Sequence, residues 1–250
     1  MSTLAIIGGT GLASPEQLAV AQEEHLDTPF GPPSGAVSRG RLFGQEVLFL
    51  PRHGYAHTLP PHRVNYRANL WALRELGARE IIAVAAVGGI TPAMGPGVIC
   101  LPTQIIDYTW GRAGTFFEDK LEQVTHIDFT QPYSEPLRRR LRAAASVAGV
   151  AVVDGGTYAA TQGPRLETAA EIIRLERDGC DIVGMTGMPE AALARELDLD
   201  YAAIAVVANW AAGKAAGEIS MEQIVATLGA GMAEVGRLLE CLTADGRLPQ

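Results

Sequence analysis

The sequence predicts one α/β domain spanning residues 1–250, built as a mixed, largely parallel sheet flanked by helices. Three observations predict it. Short, continuously apolar, β-branched runs recur along the chain, amphipathic helical patterns separate them, and no linker, internal repeat or low-complexity tract divides the 250 residues. A chain of this length buries roughly 70 to 75% of the surface its unfolded form exposes, enough for a single large core. The apolar runs are LAIIGG near residue 4, EVLFLPRHG from Glu46, EIIAVAAVGGI from Glu80, VICLPTQIIDY from Val98, GVAVVDGGTYAAT from Gly149, CDIVGMT from Cys180 and YAAIAVVANW from Tyr201. Continuous rather than alternating apolarity marks strands buried on both faces. The helices are expected over Val64–Glu75, where Tyr66, Leu70 and Leu73 share a face, over Glu135–Ala148, from Pro189 and Glu190 with Pro in the first turn, and from Met221 to about Cys241. The longest irregular stretches, Asp27–Gly40 and Asp107–Pro136, have the length of functional or interface loops.

Charge and composition narrow the partners. Twenty basic against 28 acidic residues leave a net charge of −8, and the only basic cluster is Arg138–Arg140, so a nucleic-acid partner is disfavoured. The apolar stretches 81–91 and 202–212 are far shorter than the roughly 20 residues of a membrane span, so no membrane partner is expected. The start, MSTLAIIGGTGL, lacks a basic n-region and a cleavage site, which points to a cytoplasmic location. Cys100, Cys180 and Cys241 are odd in number and without CxxC spacing, and read as buried thiols rather than a disulfide framework or a zinc site.

The candidate chemistry sits at strand ends. Gly8-Gly9-Thr10-Gly11 after the first run is either a tight turn or a cradle aiming backbone N–H groups at an anion; it lacks the third glycine of a dinucleotide fingerprint. Arg52 and His53 follow the second strand, where an Arg suits bidentate recognition of phosphate or carboxylate; the alternatives are a surface ion pair and a satisfied polar contact. His57 and His62 have no carboxylate or Cys at ligand spacing, so neither is read as a metal ligand. The small residues Ala85 and Ala86, with Gly88 and Gly89 beyond them, offer room for a ligand or for helix packing. Met185 and Thr186 end a fifth strand, and Asn209 ends a sixth; a buried Asn needs a partner, either backbone or ligand.

Together, IIGGTGL, PRHGYAHTLPPHRVNYRANLWAL, THIDFTQPY, GTYAATQGPRLET and DIVGMTGMPEA resemble the trimeric purine nucleoside phosphorylases, in particular the branch that includes 5'-methylthioadenosine phosphorylase, in family order across almost the whole chain. The resemblance implies a mixed α/β phosphorylase fold and a homotrimer, with pairing of trimers left open. It also implies phosphorolysis of a purine nucleoside, with inorganic phosphate as co-substrate and no metal or organic cofactor. Carried over position by position, it assigns phosphate to Thr10, Arg52, His53, Thr186 and the backbone at Ala85 and Ala86. It gives ribose to Met185, the base surroundings to Leu166 and Ala211, and the 5' end of the sugar to His126 from a neighbouring subunit. Ala85 stands where relatives carry Thr or Asn, which shifts phosphate binding toward backbone N–H groups.

Hydrogen-bond chemistry then distinguishes the base. An ionised Glu167 only accepts, which suits the N1–H of a 6-oxopurine and opposes the N1 lone pair of adenine, while the Asn209 amide donates to N7 and O6. Methylthioadenosine phosphorylases carry Ser and Asp at these two positions. Glu167 as a helix first-turn residue is the competing explanation. At the sugar's 5' group, Met221, Ile224 and Val225 align with the family's wall and no His stands among them, which favours a 5'-methylthio group over a hydroxyl; core packing of the last helix would look the same. The expected reaction is phosphorolysis of S-methyl-5'-thioinosine to hypoxanthine and 5-(methylthio)ribose 1-phosphate. The alternatives are a general inosine and guanosine phosphorylase, a methylthioadenosine phosphorylase, and a nucleotide-binding module without catalysis.

Overall fold

The computed structural model of the chain describes residues 3–12, 17–118, 124–216 and 220–243. Four strands, β1 (Thr3–Gly8), β4 (Gln45–Pro51), β5 (Ala78–Gly89) and β11 (Asp200–Trp210), lie parallel in the spatial order β4-β1-β5-β11 and form the centre of a mixed sheet. Their continuous apolarity is used on both faces. Leu4 and Ile6 of β1 enter one core and Ala5 and Ile7 the other, every one of them fully buried. Burying an Ile or Leu side chain in this way stabilises by roughly 1.5–3 kcal/mol each.

The first core lies under α2 (Glu135–Ala148) and α5 (Met221–Thr243), the second under α1 (Tyr66–Glu75) and α4 (Gly187–Glu196). Each expected helix is present. Asn65 caps α1 by accepting from Ala68 N at 3.1 Å, Ser134 caps α2, and α2 stops at Gly149, whose φ of +64° an L side chain rarely adopts. In α4 the second residue, Met188, is non-helical, so regular helix begins at Pro189.

Beyond the centre the expectations need correction. β2 (Leu18–Glu24) and β3 (Val37–Leu42) extend the sheet past β4, so Val37–Gly40 is strand rather than loop. β2 is exposed along most of its length, and an edge strand with little buried surface carries no hydrophobic pattern to read. Two runs read as single strands are each two: β6 (Ile99–Leu101) with β7 (Gln104–Asp107), and β8 (Val152–Asp154) with β9 (Thr157–Ala160). Pro102 interrupts the first, and Gly155 and Gly156 turn the second at positive φ. β7 and β8 are not buried on both faces. A helix missing from the expectations, α3 (Ala169–Arg177), was announced by its capping box, Thr168 with Glu171.

β5 divides the sheet. Its last residues, Gly88 and Gly89, pair antiparallel with β10 (Ile182–Gly184), which continues through β9 to β7 in parallel. No described residue between Asp107 and Glu135 is in helix or strand, in line with the long-loop expectation. All three cysteines are free and buried. Arg138 is buried against Glu135 and Asp154, and Arg140 pairs with Glu80, so these members of the basic run offer no basic face. Among the described residues no helix is long and apolar enough to cross a membrane.

Candidate active site

The carboxyl ends of β1, β4 and β5 and the end of β11 meet the β10–α4 and β9–α3 segments around a cavity of about 400 Å³, a size suited to a small ligand. At one end the Gly8–Thr10 turn is locked to the end of β4, since Arg52 N donates to Gly8 O at 2.9 Å. Gly9 is there because nothing larger fits. A Cβ at that position would lie 2.5 Å from Val84 O and 2.9 Å from Arg52 Nη1.

Arg52 lines this cavity but does not offer its whole guanidinium to a ligand. Its Nε and Nη2 donate to Glu190 at 2.7 and 2.8 Å, and its Nη1 donates to Val84 O at 3.0 Å. Tyr201 Oη adds a hydrogen bond to the same carboxylate at 2.8 Å. The ion pair entertained for Arg52 exists, but it is buried rather than on the surface. Of five guanidinium N–H groups, the edge between Nη1 and Nη2 is what remains for an anion. Burial by itself opposes the Arg52 charge, yet the charge and hydrogen bonds of Glu190 outweigh it and hold the guanidinium firmly protonated.

Burial, reinforced by the Arg52 charge, pushes the His53 imidazole down to about 4, so it is neutral at pH 7. His53 Nδ1 lies 2.7 Å from Leu59 O, and because a carbonyl only accepts, Nδ1 carries the proton and Nε2 presents a lone pair. A stability test follows. Between about pH 6.5, where an unfolded His titrates, and about pH 4, the unfolded chain binds more protons than the folded one, so stability falls as pH is lowered through that window. Wild type is expected to lose roughly 2–3 kcal/mol more than His53→Asn between pH 7 and 4 in denaturant melts. Equal losses would show that native His53 protonates over the same pH range as the unfolded residue, with no lowering by burial. His57, set aside as a metal ligand, lines the cavity too: its Nε2 is 3.4 Å from Thr10 Oγ1 and its ring centroid 4.8 Å from that of His53.

The antiparallel pairing of β10 with β5 carries Met185 and Thr186 back alongside Ala85 and Ala86, and all four residues line the cavity. Gly163, at φ +59°, lets the β9–α3 segment pass close to this one; a Cβ there would stand 2.4 Å from Met185 Sδ. The β5–β11 register shifts between Val207 and Asn209, so that Asn209 stands opposite Gly88 and contributes to the cavity wall. Its Nδ2 donates to Trp210 O at 2.7 Å. Glu167, on the same cavity, precedes the α3 cap Thr168 and accepts from Thr161 Oγ1 at 2.6 Å. It is therefore not the first-turn acid of a helix, a place that Glu171 fills. Leu166, half exposed, and Ala211 also line the cavity.

One expectation at the sugar's 5' end changes. Ile224 lines the cavity with Leu228, one helical turn on, whereas Val225 is 66% exposed and absent from the lining, because adjacent helix residues point about 100° apart. Met221 opens α5, but its side chain lies outside the described residues. His126 is exposed in the irregular stretch before α2 and does not line this chain's own cavity.

The model of the Phosphorylase superfamily matches residues 3–243. The chain belongs to this superfamily. Within it, the chain is 61% identical over 235 residues to a probable S-methyl-5'-thioinosine phosphorylase of Pseudomonas syringae pv. tomato, covering 94% of this chain and 96% of that one. It is 43% identical over 244 residues to a probable 6-oxopurine nucleoside phosphorylase of Thermococcus kodakarensis, covering 96% and 91%. A methylthioadenosine phosphorylase from Schistosoma mansoni in complex with adenine superposes with a TM-score of 0.93 at 32% identity, covering 97% of this chain and 91% of that one.

Three residues of this superfamily member escaped the reading of its sequence. Leu228 was within reach, since it stands four residues after Ile224 on one helix. Glu190 was noted only as a helix-start residue, and no local pattern joins it to Arg52, 138 positions away. Arg112, in the long irregular stretch, gave no signal.

Proposed function

We propose that the enzyme catalyses phosphorolysis of S-methyl-5'-thioinosine, yielding hypoxanthine and 5-(methylthio)ribose 1-phosphate. The observation that carries this reading is the meeting of Glu167 and Asn209 with Thr10, Arg52 and Thr186 on one cavity. Glu167, with one oxygen taken by Thr161, keeps the other to accept from N1–H of a 6-oxopurine. Apolar Ile224 and Leu228 suit a methylthio group and offer a 5'-hydroxyl no hydrogen-bond partner.

In the reaction a phosphate oxygen bonds to C1' as the C1'–N9 bond breaks, and the electron pair of that bond leaves with the purine. Asn209 donates to N7, where negative charge grows, and so stabilises the transition state more than the ground state. The Nη1/Nη2 edge of Arg52, the Thr10 and Thr186 hydroxyls and backbone N–H groups near Ala85 and Ala86 place the anion beneath the sugar. Because His53 presents a lone pair at Nε2, it receives a hydrogen from the phosphate's own OH or takes up a proton as the anion binds. The departing purine anion takes a proton from the phosphate OH or from water to become hypoxanthine, so the displacement balances without metal or organic cofactor. The working form is a cytoplasmic homotrimer in which His126 of one subunit approaches a neighbour's sugar, a reading supported by the exposure of His126 away from its own cavity.

A phosphate-dependent assay across S-methyl-5'-thioinosine, inosine and methylthioadenosine tests the proposal. The methylthioinosine is expected to turn over fastest and methylthioadenosine slowest. Inosine turned over equally well would make this a general 6-oxopurine phosphorylase, and equal base release without phosphate would make it a hydrolase.

A further inference from the structure

Arg112 lies outside the cavity lining but touches both segments that build it. Its Nη1 donates to Met185 O at 2.8 Å and Met188 O at 2.5 Å, and its Nη2 donates to Gln162 O at 2.9 Å and Thr161 O at 3.3 Å. The guanidinium sits 5.5 Å from the centroid of the Tyr66 ring, and its buried Nε has no partner among the described residues. Two of the four carbonyls flank Thr186 at the phosphate end. The other two open the segment that ends in Glu167 at the base end. The Met185 carbonyl and the Thr186 N–H belong to one planar peptide, so holding the first orients the second. Thr161 supplies both the carbonyl that Arg112 holds and the hydroxyl that binds Glu167.

We propose that Arg112 is a positioning residue that ties the phosphate-side segment Met185–Met188 to the base-side segment Thr161–Glu167, so that the sites for the two co-substrates are held in one register. The inference rests on the reading of the cavity given above. A guanidinium is suited to the task because its planar fork serves several acceptors on two segments at once, which neither an ammonium nor an amide does.

Arg112→Gln is the first test. Its kcat/KM is expected to fall roughly 10- to 100-fold toward both phosphate and nucleoside, the size typical of lost supporting contacts around a site. Arg112→Lys, which keeps the charge but spans fewer carbonyls, should fall between the variant and wild type, and guanidinium ion at sub-denaturing concentration should partly restore Arg112→Ala. Amide hydrogen exchange gives a readout independent of turnover: residues 161–167 and 185–190 should exchange faster together in Arg112→Gln, with β1 and β5 unchanged. A role in general stability alone would lower the melting temperature and leave both KM values and the two-segment exchange pattern as in wild type, and that result overturns the proposal. If Arg112→Gln does not fold, Arg112→Lys decides, and activity within about twofold of wild type, with unchanged exchange, overturns it. Wild-type protein inactive on every purine nucleoside would instead refute the reading of the cavity, while the exchange experiment would still judge the clamp.

Discussion

Replacing Glu167 with Ser and Asn209 with Asp together is expected to lower the ratio of methylthioinosine to methylthioadenosine activity by roughly 10²- to 10⁴-fold, the range available when buried polar groups meet a substrate of the wrong hydrogen-bond pattern. Glu167 accepts from Thr161 Oγ1 and has one oxygen left toward the cavity. Ser in its place donates as well as accepts, so the N1 lone pair of adenine gains a partner. Asp at 209 removes the one amide N–H that the bond to Trp210 O leaves for the base and adds an acceptor for the adenine amino group. The single variants separate the roles. Asn209→Asp should lower turnover of methylthioinosine through the lost donor to N7, whereas Glu167→Ser should mainly relax discrimination. Steady-state assays on the two nucleosides check this, and an unchanged ratio in a folded double variant would mean that these residues do not read the base.

Arg52→Ala should be damaging in two separable ways. It removes the cation beside the Gly8–Thr10 turn, and it leaves the Glu190 carboxyl buried without its partner, with both side chains at or below 1% exposure. Breaking one side of a buried pair costs about 3–5 kcal/mol, enough to threaten folding, so loss of activity alone would be ambiguous. Arg52→Met combined with Glu190→Gln resolves this. The pair of changes removes both charges, keeps an acceptor for Tyr201 Oη, and is expected to recover most of the melting temperature while phosphate-dependent turnover stays absent. Calorimetry with a phosphate-dependence assay checks both halves. If the double variant used phosphate as wild type does, Arg52 would be a structural ion pair and the phosphate site would lie elsewhere.

Local patterns in the chain made much of the fold legible. The runs that became β1, β5 and β11 are apolar on successive residues because helices cover both faces of these strands, and that requirement is written residue by residue. The helix over Glu135–Ala148 shows its ends in Ser134 and Gly149, where capping chemistry is local. β2 was not legible because, exposed at the sheet edge, it has no burial to encode.

The site divides along the same line. By itself the sequence determined which residues meet at the cavity, because Thr10, Arg52, His53, Met185, Thr186 and Asn209 stand at or just beyond strand ends, and such ends converge in a sheet of this class. Only the tertiary structure decided how much of each side chain is available. It set Glu190 against one edge of Arg52, buried His53 into its neutral form, turned Val225 to solvent while Ile224 faces inward, and brought Arg112 across to four carbonyls on two other segments. The physical reason is that hydrogen bonds and charge pairs between residues tens to more than a hundred positions apart depend on how the layers pack. A side chain's neighbours, its protonation and its remaining donors are then properties of the packed interior and not of the local sequence.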